Sequence, residues 1–155
     1  MAAARGARVP DGRTVFYQSL CDQLAEFAER QFELAAPDEG GISYRKVLEG
    51  LLRRARRPDK RAEYEAALAL PPFPMPLLHI WRAYHRIRRR KGAAGFGAAP
   101  IEWPDISEFV RMTRTRLLPR EVEMLERLDD AFIAAATGQS GSEAGGDVDG
   151  EGLTA

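Results

Sequence analysis

The chain has 155 residues, 45% apolar and 30% charged, with 23 basic side chains against 23 acidic ones. That length and apolar content suit one domain with an ordinary core, and the neutral balance creates no global field that demands nucleic acid or a membrane surface as partner. A single cysteine, Cys21, excludes an intrachain disulfide and a cysteine-based zinc site, and no apolar run approaches the roughly 20 residues of a membrane span.

Residues 1–12 are small, basic and interrupted by Pro10 and Gly12. They read as a flexible arm without the apolar stretch of a secretory signal. Phe16, Leu20, Leu24, Phe27 and Leu34 form a helical stripe and predict a first helix over 14–35. Ser43 is a suitable N-cap for a second helix over 43–57, with Ile42 and Val47 spaced as a hydrophobic staple and Val47, Leu48, Leu51, Leu52 and Ala55 as the buried stripe. Pro58-Asp59 stops that helix and starts a short third one over 60–69, with Tyr64 and Leu68 inward. Leu70–Pro76 holds four prolines in seven residues and must be extended.

Pro76 opens a fourth helix over 76–91, with Leu77, Ile80, Trp81, Tyr84 and Ile87 on one side and Gly92 as a left-handed C-cap. After a glycine-rich loop, Pro104 starts a fifth helix over 104–114, with Ile106, Phe109 and Val110 inward. A sixth runs over 119–136 on Val122, Met124, Leu125, Leu128 and Phe132. No strand alternation occurs. The reading is an all-α domain of five to six helices: an N-terminal part over 13–70, a C-terminal part over 71–136, and a tail over 137–155 whose composition predicts disorder. The charge is unevenly shared. Glu143, Asp147, Asp149 and Glu151 follow Gly138 with no cation among them, which leaves 23 basic against 19 acidic residues before it, a net +4.

No constellation of reactive groups emerges. Gly92, Gly95 and Gly97 follow a helix, lack an adjoining Lys-Ser/Thr, and sit beside Pro100 and Pro104, which remove N–H donors; a hinge explains them better than a phosphate cradle. His79 and His85 are six residues apart, the wrong spacing for a same-face metal pair, and His79 reads as a partly buried neighbour of Ile80 and Trp81. Cys21, beside the apolar stripe, reads as a small core residue. Asp129 and Asp130 point to different sides of one helix. The arginine clusters at 53–61 and 82–91 make a small nucleic-acid-binding regulator the alternative reading, tested by salt dependence. Against it, Glu121 and Glu123 occupy the first turn of the helix that would have to read bases.

The stretch Pro71–Ala136 resembles the small tail assembly chaperones of long-tailed phages and related prophages. The resemblance is carried by Trp81 after a proline-rich lead, an arginine-rich helix end running into Gly92, Gly95 and Gly97, and Pro100-Ile101 ahead of a short helix with Ile106. It continues through "RMTRTRLLPREVEML" with Pro119 and Glu121, and "LDDAFI" with Leu128, Asp129 and Phe132. It covers somewhat under half the chain. One departure is Leu118, where a Ser or Thr cap is expected; losing such a cap costs about 1 kcal/mol if nothing replaces it.

The resemblance implies an assembly factor with no catalytic, cofactor or metal site. It implies binding to the tape measure protein, and secondarily to the tail tube protein, in the host cytoplasm, with absence from the mature virion. Many such proteins are also made in a longer frameshifted form. Trp81, Tyr84, Phe96, Trp103 and Phe109 are the candidate partner-binding residues, because large apolar groups beyond what a small core hides form a receptor for another chain.

Overall fold

A computed structural model describes residues 12–38, 40–94 and 97–138. The fold is all-α. Six helices follow one another among these residues: α1 (Gly12–Ala35), α2 (Tyr44–Arg54), α3 (Pro58–Leu68), α4 (Leu78–Arg88), α5 (Trp103–Thr113) and α6 (Pro119–Gly138). A 3-10 turn over Met75–Leu77 leads into α4, so Pro76 sits in that turn and the α-helix proper begins two residues later than expected. Of the expected arm over 1–12, residues 1–11 lie outside the described residues and Gly12 already belongs to α1; all but the first two residues of the expected tail also lie outside them. Thr137 and Gly138 still belong to α6.

α1 packs along α6, and these two with α4 enclose the core, which Ile106 of α5 completes. Leu24, Ile80, Tyr84, Leu125 and Leu128 are almost fully buried there. α2 and α3 pair with each other as a hairpin beside α1, and only Leu48 of the two helices is buried. Ser43 caps α2 as expected, its Oγ accepting from the Lys46 N–H at 3.4 Å. The staple is not formed as a buried contact, since Ile42 and Val47 are both exposed. Gly41, at φ +74°, turns the chain between α1 and α2 where a side chain would be strained.

Besides Val47, expected in the buried stripe of α2, two expectations about the core fail for geometric reasons. Phe16 is 65% exposed. The buried face of α1 is Cys21, Leu24, Ala25, Ala28 and Phe32, and its first turns overhang the bundle, because α6 begins only at Pro119, with the Arg120 guanidinium over the Tyr17 ring at 4.2 Å. His79 is exposed, and its ring meets an acid instead of the apolar interior. Cys21 is buried as expected. The proline segment straps across α1: Phe73 meets Phe27 edge-on at 5.0 Å and Trp81 at 6.0 Å.

Gly92 has no left-handed backbone; α4 ends at Arg88, and turn bonds from Arg90 and Lys91 to Ile87 close it. A two-residue ladder follows, β1 (Ala93–Ala94) against β2 (Gly97–Ala98), the one strand pair among the described residues. The buried stripe fixes a stability contrast. Leu128→Ala is expected to lower the unfolding free energy by about 2–5 kcal/mol, whereas Phe16→Ala is expected to stay within about 0.5 kcal/mol. Urea melts of the two variants check this.

Candidate functional site

The loop after α4 is held by one buried carboxylate. Asp129 of α6 is 4% exposed and takes three donors: Arg88 at 2.8 Å, the Tyr84 hydroxyl at 3.3 Å, and the Ile101 N–H at 2.6 Å. The second Arg88 nitrogen donates to the Ala99 carbonyl at 2.6 Å, and the guanidinium lies over the Phe132 ring at 4.9 Å. Burial and the Asp129 charge push the Tyr84 phenol well above its ordinary pKa, so it remains a donor.

A second clip sits on the surface. Lys91 donates to Asp105 at 2.6 Å and Glu102 at 3.1 Å. Those two acids also form the capping box of α5, with the Glu102 N–H bonded to Asp105 at 2.8 Å. The loop, α4 and α5 are therefore tied at both ends.

Between the end of α4 and the exposed side of α5 lies an open groove of about 700 Å³. Ile87, Phe109 and Met112 line it together with Arg86, Arg89 and Arg90. The Arg86 guanidinium stands over the Phe109 ring at 5.5 Å, and Met112 is 68% exposed.

The sequence-nominated residues fall in three different settings. Phe109 lines the groove, half-buried. Trp103, at the start of the same helix, is 73% exposed, and its indole N–H donates to Glu126 of α6. It ties α5 to α6 through that hydrogen bond, with its ring left largely open. Trp81 is half-buried in a ring cluster with Phe27, Phe32, Phe73 and His85, whose ring meets it edge-on at 4.3 Å. Tyr84 is fully enclosed beneath that cluster. Phe96 lies outside the described residues. Arg88, Met112 and the Asp129 clamp had no signal in the periodicity, because an arginine and an aspartate on mostly polar faces read as solvated.

At Leu118 the first turn of α6 is satisfied without a Ser or Thr side chain: the Glu121 N–H donates to the Leu118 carbonyl at 2.8 Å, and the Glu121 carboxylate supplies the acid half of a capping box. Glu121, 8% exposed, accepts from the Leu118 N–H at 2.8 Å and lies 2.8 Å from His79 Nε2. Burial pushes its carboxyl up, but the Leu118 N–H, His79 and Arg120 outweigh that and hold it below the usual carboxylate range. Glu121 is thus turned into the protein, while Glu123 stays exposed.

A family model described as phage tail assembly chaperone matches residues 53–134, just over half the chain. The chain belongs to the phage tail assembly chaperone family. No curated protein and no solved structure matches it. In this tail assembly chaperone the matched segment runs from the end of α2 into α6, so it contains the groove, both clips and the Glu121 cap. α1 lies outside the match yet supplies one wall of the core. No helix among the described residues is long and apolar enough to cross a membrane.

The buried cap carries a pH signature. A carboxyl whose folded pKa lies below its unfolded one contributes fully above the unfolded value, about 4.3, and loses that contribution as pH falls through the folded value. Glu121→Gln is expected to cost about 1–2 kcal/mol at neutral pH. The gap to the parent chain should narrow as the pH drops below about 4, as measured by urea melts at stepped pH.

Proposed function

We propose that this chaperone binds the tape measure protein through the α4–α5 groove and keeps it soluble while the tail tube assembles. The observation that carries the reading is the groove itself. It is open and contains Phe109 and Met112 beside Ile87, and it lies inside the segment shared with the tail assembly chaperones. A long client built of amphipathic helices presents apolar stripes that a groove of this kind receives.

Phe109 and Trp103 are the proposed contact rings, with Met112 as an adaptable neighbour. Trp81 offers its half-exposed side to the same client, and Tyr84 supports the surface from beneath without touching it. The proposed action is reversible holding in the host cytoplasm, followed by release before the particle is complete. The tail tube protein is the second proposed partner.

Co-expression with the tape measure protein tests this. The expected result is soluble client with the parent chain, sedimenting client without it, and at least about tenfold weaker binding for the Phe109→Ala, Met112→Ala double variant, since truncated apolar anchors typically cost more than 1 kcal/mol each. Client that is equally soluble with or without the chain removes the reading.

A further inference from the structure

The charge on the groove is unbalanced. Of its two acids, Asp105 is matched by Lys91, and Glu108 by Arg111 at 2.5 Å. Arg86, Arg89 and Arg90 have no carboxylate partner among the described residues. Arg86 stacks on Phe109, and the Arg89 Nε donates to the His85 carbonyl at 3.2 Å. Three guanidiniums next to partly exposed apolar side chains favour an acidic segment that carries an occasional apolar residue.

The chain contains such a segment. Seventeen residues follow Gly138, with Glu143, Asp147, Asp149 and Glu151, the apolar Val148 and Leu153, and no cation. Their starting point is close. Arg88, in the same turn region as the three arginines without a carboxylate partner, lies over Phe132 of α6, and Phe132 precedes the end of that helix by six residues, about 9 Å. The five residues from Gly138 to Glu143 span up to about 17 Å when extended, and all seventeen up to about 56 Å. Tethering at that range gives an effective concentration on the order of millimolar, so even weak charge pairing is populated.

We propose that the acidic segment 139–155 docks in cis on the α4–α5 groove, with its carboxylates on Arg86, Arg89 and Arg90. The segment then occupies the surface assigned above to the client, and a client helix has to displace it. The docking does not depend on the client reading, and its test contains no client, so either idea can fail alone.

The experiment uses the full chain with a photoactivatable benzophenone side chain in place of Met112, and a control chain with the same probe at Val15, at the far end of α1. At low salt, the expected product is an intrachain adduct between position 112 and a peptide from 139–155, absent from the Val15 chain. Its yield should fall severalfold in 0.5 M salt, where the Debye length is about 4 Å, and in the Glu143→Gln, Asp147→Asn, Asp149→Asn, Glu151→Gln chain. No adduct into 139–155, an adduct of unchanged yield in the neutralised chain, or adducts that join two chains would each overturn the proposal.

Discussion

The Arg88–Asp129 pair is the interaction on which the arrangement of the C-terminal half depends. Desolvating two charges is costly, and a buried pair recovers that cost only when the remaining donors and acceptors are also satisfied. Here they largely are: the carboxylate takes bonds from Arg88, Tyr84 and the Ile101 N–H, and the guanidinium adds the Ala99 carbonyl. The pair therefore connects α4, α6 and the loop between α4 and α5 through one point. Removing a single partner leaves an uncompensated buried charge, which typically costs 3–5 kcal/mol.

The groove follows from this clamp. α5 contributes one fully buried side chain, Ile106, so apolar packing alone holds it weakly. Its position comes from the chain leading into it, fixed at Ala99 and Ile101 by the clamp and at Glu102 and Asp105 by Lys91. With α5 held at its entry and lightly packed along its length, Phe109 and Met112 stay accessible beside α4. The two cations used in clips, Arg88 and Lys91, also explain the charge of the groove: their neighbours Arg86, Arg89 and Arg90 are left without a carboxylate partner among the described residues.

The helices were legible in the sequence because their stops are covalent and local. Pro58, Pro104 and Pro119 and the Ser43 cap set starts that the structure reproduces within two residues. The core of α4 and α6 was legible because the apolar period is regular. What escaped depended on partners distant in sequence. Asp129 could be placed on a face different from Asp130, but nothing local revealed that Arg88, 41 residues away, would bury it. Glu121 supplies the acid half of a capping box at Leu118, while the Leu118 carbonyl takes the Glu121 N–H in place of a Ser or Thr side chain; in the sequence this reads only as an acid three residues after Leu118. Phe16 misled because periodicity describes a helix and is silent on how far its neighbour extends. Of the candidate surface, the sequence pointed to the helix carrying Trp103 and Phe109; that Tyr84 is sealed and Met112 open depended on packing.

Amide hydrogen exchange on Asp129→Asn tests the role of the clamp most directly. The account predicts a selective loss of protection over residues 97–113, the loop end and α5, with α1 and the first half of α6 remaining slow. Unchanged protection in α5, or a uniform loss across all six helices, would contradict the leading part given to this buried carboxylate, ahead of the Lys91 and Trp103 contacts, in holding α5 and its groove.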